Sequence, residues 1–284
     1  MTAADARRRR ALAAWLVLAL VALTTGYAVW SVRTREGGLG GSPGVGSAPP
    51  TPGTPTVVTA APNTVGPEGT CAPASADGIP QQPGTAEALP DPATARTELA
   101  ALRVAPRSHG DTYCRGRFGP STWPDLDRNG CSTRQDVLVR QATTVRTARI
   151  ASHGATCEEA IAGTWTDPYT LEPITLTDLK DPSQAQHLQI DHLVPLYNAW
   201  VSGASEWTDA RRVAFANDLA APELRAVTGE VNFAKDHAGP ESWQPVPLAR
   251  CDYARAYVAV KARHALTVTA AERDALAVML AACA

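Results

Sequence analysis

An aspartate and a histidine stand side by side at Asp191 and His192, and this pair could carry chemistry. A carboxylate oxygen can hold a hard divalent cation, and a neutral imidazole can take a proton from water near pH 7. Apolar residues flank the pair and Pro195 follows, so a short strand that the proline ends is predicted. Many Asp-His pairs merely satisfy each other in a loop, so the interpretation depends on the residues downstream.

A second short strand is predicted at residues 224–227, followed by a turn and a brief helix that begins at Asn232. On a helix, residues four apart share a face, so Asn232 and Asp236 are expected side by side. The two strands and the helix would then bring Asp191, Asn232 and Asp236 into one small volume. Three oxygen donors suit a hard cation such as Mg²⁺, with water in its other positions, and His192 would be left to activate a water.

Other polar residues are expected to have different roles. Lys235, on the same predicted helix, is expected to offer a positive charge to a phosphate. His153 and His187 are interpreted as surface or strand residues, and His237 should point elsewhere on the helix from Asp236.

Several blocks of sequence occur together in an order that is typical of one family. They are Asp-His-Leu-Val-Pro-Leu from Asp191, Ala-Trp-Val-Ser-Gly-Ala-Ser-Glu-Trp from Ala199, Arg-Arg-Val-Ala-Phe-Ala-Asn-Asp-Leu from Arg211, Asn-x-x-Lys-Asp from Asn232 and Trp-Gln-Pro from Trp243. The upstream block Asp-Arg-Asn-Gly-Cys-Ser-Thr-Arg-Gln-Asp-Val-Leu, which begins at Asp127, and the downstream Cys-Asp-Tyr-Ala at Cys251 fit the same order. Over residues 107–284 the chain resembles the secreted HNH endonucleases of bacteria, which are related to the C-terminal nuclease domain of GmrSD-type restriction enzymes.

This resemblance implies an α+β fold in which a ββα-metal nuclease core is embedded in additional helices. It implies that His192 is the general base and that Asp191 and Asn232 hold the metal, with Asp236 as a further candidate ligand. The cofactor it implies is a divalent ion, most simply Mg²⁺, with Mn²⁺ or another divalent ion as the alternative.

The sequence departs from the family pattern in two places. The family usually has an asparagine nine residues before the helical metal ligand, where it braces the loop that bears the base, and Glu223 stands there instead. Asn217 is predicted to take over this bracing. The usual Asn-Arg-Ser-Lys-Gly-Asp is Asn-Phe-Ala-Lys-Asp-His here, so Phe233 replaces an arginine that could touch phosphate. This loss favours a reduced activity.

The front of the chain differs in composition from the rest. Four arginines at residues 7–10 precede a run of 22 uncharged residues, 11–32. At 1.5 Å per residue this run would span roughly 33 Å as a helix, enough to cross a bilayer core. Residues 1–35 are therefore predicted to be a cytoplasmic basic stub with an uncleaved transmembrane signal-anchor, which gives a single-pass cell-membrane protein with its C-terminal domain outside. Secretion after signal cleavage is the alternative.

Residues 36–93 are rich in Pro, Gly, Ser and Thr and are predicted to be an extended linker, while residues 94–284 form the nuclease domain. Hydrophobic periodicity and capping residues predict its elements. Helices are expected at 95–104, 133–141, 197–201, 208–218, 253–262 and 269–282, and strands at 143–150, around Trp165, at 187–194 and at 224–227.

The six cysteines are even in number, and the predicted location outside the cytoplasm favours disulfides. No pair has C-x-x-C spacing, which argues against a structural zinc site. The spacing alone leaves every pairing open. The preferred set is Cys131–Cys157, Cys251–Cys283 and Cys71–Cys114.

Charge gives a mixed indication about nucleic acid. Residues 96–284 hold 20 Lys or Arg and 22 Asp or Glu, so the domain is not basic overall. Residues 115–149, however, hold seven arginines against three aspartates, and this local excess could steer a phosphate backbone.

Together these observations favour a monomeric, metal-dependent endonuclease that acts on nucleic acid outside the cytoplasm, with DNA favoured over RNA. The main alternative is a catalytically weak, membrane-tethered domain that keeps the same scaffold to bind nucleic acid or a protein. A cell-wall hydrolase is disfavoured because its usual zinc pattern of two or three histidines is not seen.

Overall fold

The computed structural model describes residues 71–152 and 154–283. The predicted anchor at residues 11–32 and the larger part of the predicted linker lie outside these residues. Within the described ranges, no helix is long and apolar enough to cross a membrane.

The structure is mixed α and β, and most of its helices begin at a side chain that caps the first turn. Ser132, Thr208, Thr228 and Thr269 each accept a hydrogen bond from a backbone N–H of the helix that follows. In chain order the elements are α1 (Pro92–Ala101), α2 (Thr133–Gln141), β1 (Ala142–Ser152), β2 (Ala155–Thr166), β3 (Pro173–Leu176), α3 (Pro182–Ala185), β4 (Leu188–His192), α4 (Leu196–Val201), α5 (Asp209–Ala216), β5 (Leu224–Thr228), α6 (Gly229–Lys235), α7 (Arg250–Arg263) and α8 (Ala270–Ala281).

Strands β1, β2 and β3 form an antiparallel sheet in that order. The first pair is a long hairpin in which Ala142 lies opposite Trp165. Trp165 is fully buried against α2, and its indole N–H donates a 2.8 Å hydrogen bond to the carbonyl of Leu138. Val137 and Leu138 belong to the same buried cluster as Trp165, so one face of α2 packs against the inner face of β2.

Strands β4 and β5 form a separate antiparallel pair, and α6 follows β5 without a loop. Asp191 lies opposite Arg225, and His192 lies opposite Leu224 at the open end of the pair. Helix α6 contacts both strands. This β4–β5–α6 unit therefore brings the sequence around His192 next to the sequence around Asn232.

Helices α1, α7 and α8 supply the larger hydrophobic core, together with α4. Tyr257, Val260 and Leu276 are fully buried in it. Helix α8 begins with the predicted capping box, in which Thr269 and Glu272 bond to each other's backbone N–H groups. Buried hydrogen bonds from Asn198 to Glu272 and from Lys261 to Asn198 join α4 to this helical layer.

The packed domain extends further toward the N-terminus than the predicted boundary at residue 94. Ala74 and Ile79 are buried in a small cluster with Leu126 and Val213. The backbone N–H of Ala74 donates a 2.8 Å hydrogen bond to the carbonyl of Gly116. Composition predicted a linker here because the segment has no apolar period, yet residues 71–91, called the strap below, pack against the domain through these contacts.

The three preferred disulfides are all present, and the described residues contain no free cysteine. Cys71–Cys114 fastens the N-terminal strap to the loop before the first sheet. Cys131–Cys157 joins the start of α2 to β2, and Cys251–Cys283 joins the start of α7 to the end of α8. The bridges close loops with sequence separations of 43, 26 and 32 residues, so each stabilises the fold mainly by restricting the unfolded chain.

Candidate active site

A pocket of 380 Å³ opens at the end of the β4–β5–α6 unit. Two of its walls come from β4 and α6, and a third comes from the loop upstream of α2. Its lining includes Tyr113, Arg115, Trp123, Asp191, His192, Asn232, Phe233, Asp236 and His237. Four of the residues that the sequence predicted as site residues, Asp191, His192, Asn232 and Asp236, thus face one cavity.

The imidazole of His192 is held at two places. Its Nε2 lies 3.0 Å from the carbonyl oxygen of Ala216, at the end of α5. Because a carbonyl oxygen only accepts, Nε2 carries the proton, and Nδ1 keeps its lone pair. The flat face of the ring stacks on Trp123, with ring centroids 5.6 Å apart and planes 9° apart. Trp123 adopts a φ of +56°, which is costly for a bulky residue and is typical of strained functional positions.

The surroundings keep His192 neutral. Burial, and next the positive charge of Arg115, lower the pKa of its imidazole to about 3. At neutral pH the ring is therefore unprotonated at Nδ1 and able to accept a proton. An anion beside Arg115 would offset part of that positive field and raise the pKa of the imidazole.

Asp191 lies at the buried floor of the site, with only 5% of its surface exposed. The hydroxyl of Tyr169 donates a 2.6 Å hydrogen bond to its Oδ2. The Nζ of Lys235 lies 3.0 Å from each carboxylate oxygen. Burial raises the pKa of Asp191, and Lys235 and Tyr169 act in the opposite direction.

Lys235, which the sequence predicted to offer a charge to a phosphate, is not among the residues that line the pocket. It is fully buried, and its Nζ also donates a 2.9 Å hydrogen bond to the carbonyl of His192. Bonds to Asp191 and to this carbonyl use the donors of the ammonium group, so none of them is directed into the pocket. The lysine instead compensates the charge of Asp191 and fixes the backbone at the base.

Helix α6 begins earlier than predicted and ends before Asp236. Thr228 caps its start, and the helix ends at Lys235. Asp236 has a φ of +46°, outside helical geometry, so Asn232 and Asp236 do not share a helix face as predicted. Asn232 donates from Nδ2 to Oε1 of Gln189 at 2.7 Å, which leaves its Oδ1 as the oxygen for another partner.

The donors of the pocket fit a hard cation, although they do not enclose one. Asp191 and Asn232 both line the pocket and carry side-chain oxygens, and oxygen is the ligand that Mg²⁺ prefers. Within residues 71–152 and 154–283, no three His, Cys, Asp or Glu side chains are grouped closely enough to hold a metal ion. An ion here would therefore rely on two protein oxygens and on water or phosphate for the rest, an arrangement that suits Mg²⁺.

Glu223, rather than Asn217, braces the loop that follows His192. The backbone carbonyl of Glu223 accepts from the N–H of Leu193 at 2.7 Å, and its Oε2 accepts from the N–H of Val194 at 3.1 Å. Asn217, which was predicted to brace this loop, donates instead to the carbonyl of Val213 in its own helix. Burial raises the pKa of the fully buried Glu223 well above its usual value, which favours the neutral carboxylic acid at this position.

Sequence reasoning missed three residues of this site. Arg115 supplies a positive charge beside His192, although the family arginine at position 233 is absent. The arginine-rich stretch 115–149 was the signal that could have indicated it. Tyr169 and Trp123 gave no such signal, because their roles depend on contacts between distant segments.

Comparison with known proteins gives two matches. The profile of the C-terminal domain of GmrSD restriction endonucleases matches residues 132–279. An uncharacterized secreted protein of Arthroderma benhamiae is 41% identical over 197 residues, which cover 69% of this chain and 87% of that protein. No solved structure matches the chain significantly.

Proposed function

The chain belongs to the family of GmrSD restriction endonuclease C-terminal domains, and on that premise we propose that it is a metal-dependent endonuclease of the HNH type. The family supports a nuclease-type function. The observation that carries the finer proposal is a neutral His192 with a free Nδ1 in the same pocket as Asp191, Asn232 and Arg115. The β4–β5–α6 unit would then be the ββα-metal core.

In this proposal His192 removes a proton from a water molecule that attacks phosphorus. Nδ1 accepts the proton, while the Nε2–H bond to Ala216 keeps the tautomer that leaves Nδ1 available. Trp123 prevents the ring from tilting, and Arg115 attracts the phosphate. The deoxyribose or ribose oxygen on the other side of phosphorus is the leaving group.

Asp191 and Asn232 are the proposed ligands for a divalent cation, and Asp236 is a further candidate because it lines the same pocket. When bound, the cation would stabilise the negative charge that develops on the phosphate and the leaving oxygen. Mg²⁺ is favoured, with Mn²⁺ as the alternative. Lys235 would keep the Asp191 carboxylate ionised in its buried position until the cation binds.

We place the activity outside the cytoplasm, on a monomeric protein. Three disulfides support this location because they persist in oxidising compartments. The relative from Arthroderma benhamiae, which is described as secreted, supports it as well. N-terminal sequencing of protein from the membrane fraction and from the medium separates the proposed anchor from cleaved secretion.

A catalytically weak binding domain is the second candidate, and one observation favours it. The Asp191 carboxylate already has Lys235 and Tyr169 as partners, which reduces its capacity to hold a metal. If this function is correct, the protein binds nucleic acid without cutting it.

Digestion of nucleic acid by the full-length protein, with Mg²⁺ and with a chelator, tests the proposal. His192→Ala should lower cleavage by about 10²–10⁴-fold, the usual contribution of a positioned general base, and excess Mg²⁺ should not restore it. Asn232→Ala should raise the Mg²⁺ concentration required. His187→Ala is the matched control, because this histidine is exposed outside the pocket, and it should cut at the parent rate.

Cleavage by folded His192→Ala protein at the parent rate would refute the mechanism. Binding without cleavage by the parent protein would favour the binding domain.

A further inference from the structure

Phe233 projects from α6 into solvent at the edge of the candidate active site. Its relative exposure is 87%, although a phenylalanine side chain is normally buried or in an interface. It follows Asn232 directly and lines the same pocket as Asp191 and His192. A substrate held in that pocket would therefore lie within reach of an accessible aromatic ring.

The other aromatic rings of the pocket are already engaged. Tyr113 is 5% exposed and packs edge-on against Tyr197 and Trp200. Trp123 gives one face to His192. Among the aromatic side chains of this pocket, Phe233 therefore has its ring surface available to a ligand.

The chemistry around Phe233 matches one class of ligand. Proteins that bind single-stranded nucleic acid combine a positive charge for the backbone with aromatic rings on which bases stack. Arg115 supplies a positive charge in this pocket, and Phe233 supplies the ring. The nearly balanced charge of residues 96–284, with 20 basic and 22 acidic side chains, is poorly suited to binding through many duplex phosphates.

We infer that Phe233 stacks on an unpaired base next to the phosphate that is cleaved, and that the protein prefers single-stranded or locally unpaired nucleic acid to intact duplex. This inference rests on the proposed nuclease function. In a duplex each base is already stacked and paired, so stacking on Phe233 would first require unstacking at a cost of about a few kcal/mol. An unpaired base avoids that cost.

The test compares Phe233→Ala, Phe233→Trp and Leu248→Ala with the parent protein. Leu248 is the matched control, because it is also 87% exposed but lies outside this pocket. The probes are a single-stranded DNA oligonucleotide, the same sequence as a duplex, and single-stranded versions with one abasic position each. Binding is measured by fluorescence anisotropy in the His192→Ala background, and kcat/KM is measured with His192 present.

Phe233→Ala should weaken single-strand binding and lower kcat/KM by about 5–100-fold, the usual effect of losing one base–aromatic stack. Phe233→Trp should retain both, and Leu248→Ala should change neither. At one position, an abasic site should weaken binding of the oligonucleotide to the parent protein but not to Phe233→Ala. That position identifies the base that stacks on Phe233.

Unchanged single-strand binding in Phe233→Ala, or equal parent kcat/KM on single strand and duplex, would overturn the inference. Absence of cleavage by the parent protein would refute the nuclease proposal instead, and the binding measurements would still decide whether Phe233 stacks on a base.

Discussion

The imidazole of His192 lies flat against the indole of Trp123, with 5.6 Å between ring centroids and 9° between planes. The edge of the same imidazole is fixed by the carbonyl of Ala216, 3.0 Å from Nε2. A plane and an edge together define the orientation of a ring. The direction of the Nδ1 lone pair is therefore set by two residues that come from different segments and that do not themselves react.

Replacement of Trp123 should impair the orientation of the base without removing it. We expect Trp123→Ala to lower kcat by about 10–100-fold, because small misplacements of a reacting group have effects of this size. KM should change little, because the contact that Trp123 makes in the site is its stack on His192. Trp123→Phe keeps an aromatic face and should recover much of the loss. Steady-state kinetics on the three proteins would show this division, and a KM effect alone would indicate that Trp123 binds substrate.

Lys235 should behave as a structural charge partner and not as a phosphate ligand. Lys235→Met leaves the Asp191 carboxylate buried without the ammonium group that compensates its charge. Breaking such a buried ion pair typically costs about 3–5 kcal/mol of unfolding free energy. Lys180→Met is the control, because Lys180 is 60% exposed in its pair with Glu159 and should cost about 1 kcal/mol or less. Urea unfolding of both variants measures the difference.

A second change separates the two interpretations of Lys235. Adding Asp191→Asn to Lys235→Met removes the uncompensated carboxylate, so part of the lost stability should return. If Lys235 were the phosphate ligand predicted from the sequence, Lys235→Met would lose substrate affinity while keeping its stability.

Local signals in the sequence predicted the elements well where a cap and a hydrophobic period coincided. Helix α2 occupies the predicted residues 133–141 because Ser132 caps it and Val137 and Leu138 mark its buried face. Helix α6 was placed three residues too late, since Thr228 caps the chain before Gly229 and glycine is a weak helix signal. The preferred disulfide pairs are confirmed.

The candidate site was only partly predictable. The spacing of residues along the chain does not show how deeply a side chain is buried or which distant segments it contacts. A lysine on a short helix is expected to be exposed, yet Lys235 points inward to Asp191. The stack of Trp123 on His192 joins segments far apart in the chain. Glu223 stands where the family pattern has a bracing asparagine, and its side chain reaches the N–H of Val194.

The strap at residues 71–91 depends on its disulfide. Replacing Cys71 and Cys114 by serine should lower the unfolding free energy by about 2–4 kcal/mol. It should also let a protease cut within the strap before the rest of the domain, because this segment contains no helix or strand to hold it. Limited proteolysis with mass spectrometry checks this. If the protease instead cut the strap and the rest of the domain at the same rate, the Cys71–Cys114 bridge would be supporting the whole fold.

The pH dependence of stability should report on Glu223. Burial raises its pKa well above the usual value; the positive charge of Lys235 lowers it, and the negative charges of Asp191 and Asp218 raise it. The folded state therefore holds a proton that the unfolded state releases above the ordinary glutamate pKa. Stability from this group is fully present below that ordinary value and is lost as pH rises toward the folded pKa, by about 1.4 kcal/mol per pH unit.

Glu223→Gln removes this proton and keeps an oxygen that can accept from Val194. We expect its unfolding free energy to decline less than that of the parent protein between about pH 5 and pH 8. Glu158→Gln is the control, because Arg149 and Thr147 lower the pKa of this exposed carboxylate, so the slope in that range should stay unchanged. Glu223→Ala should be less stable at every pH, since the N–H of Val194 would lose its buried partner. Parallel stability curves for the parent and Glu223→Gln proteins would mean that Glu223 is ionised in the folded state, and that the loop after His192 is braced by a carboxylate.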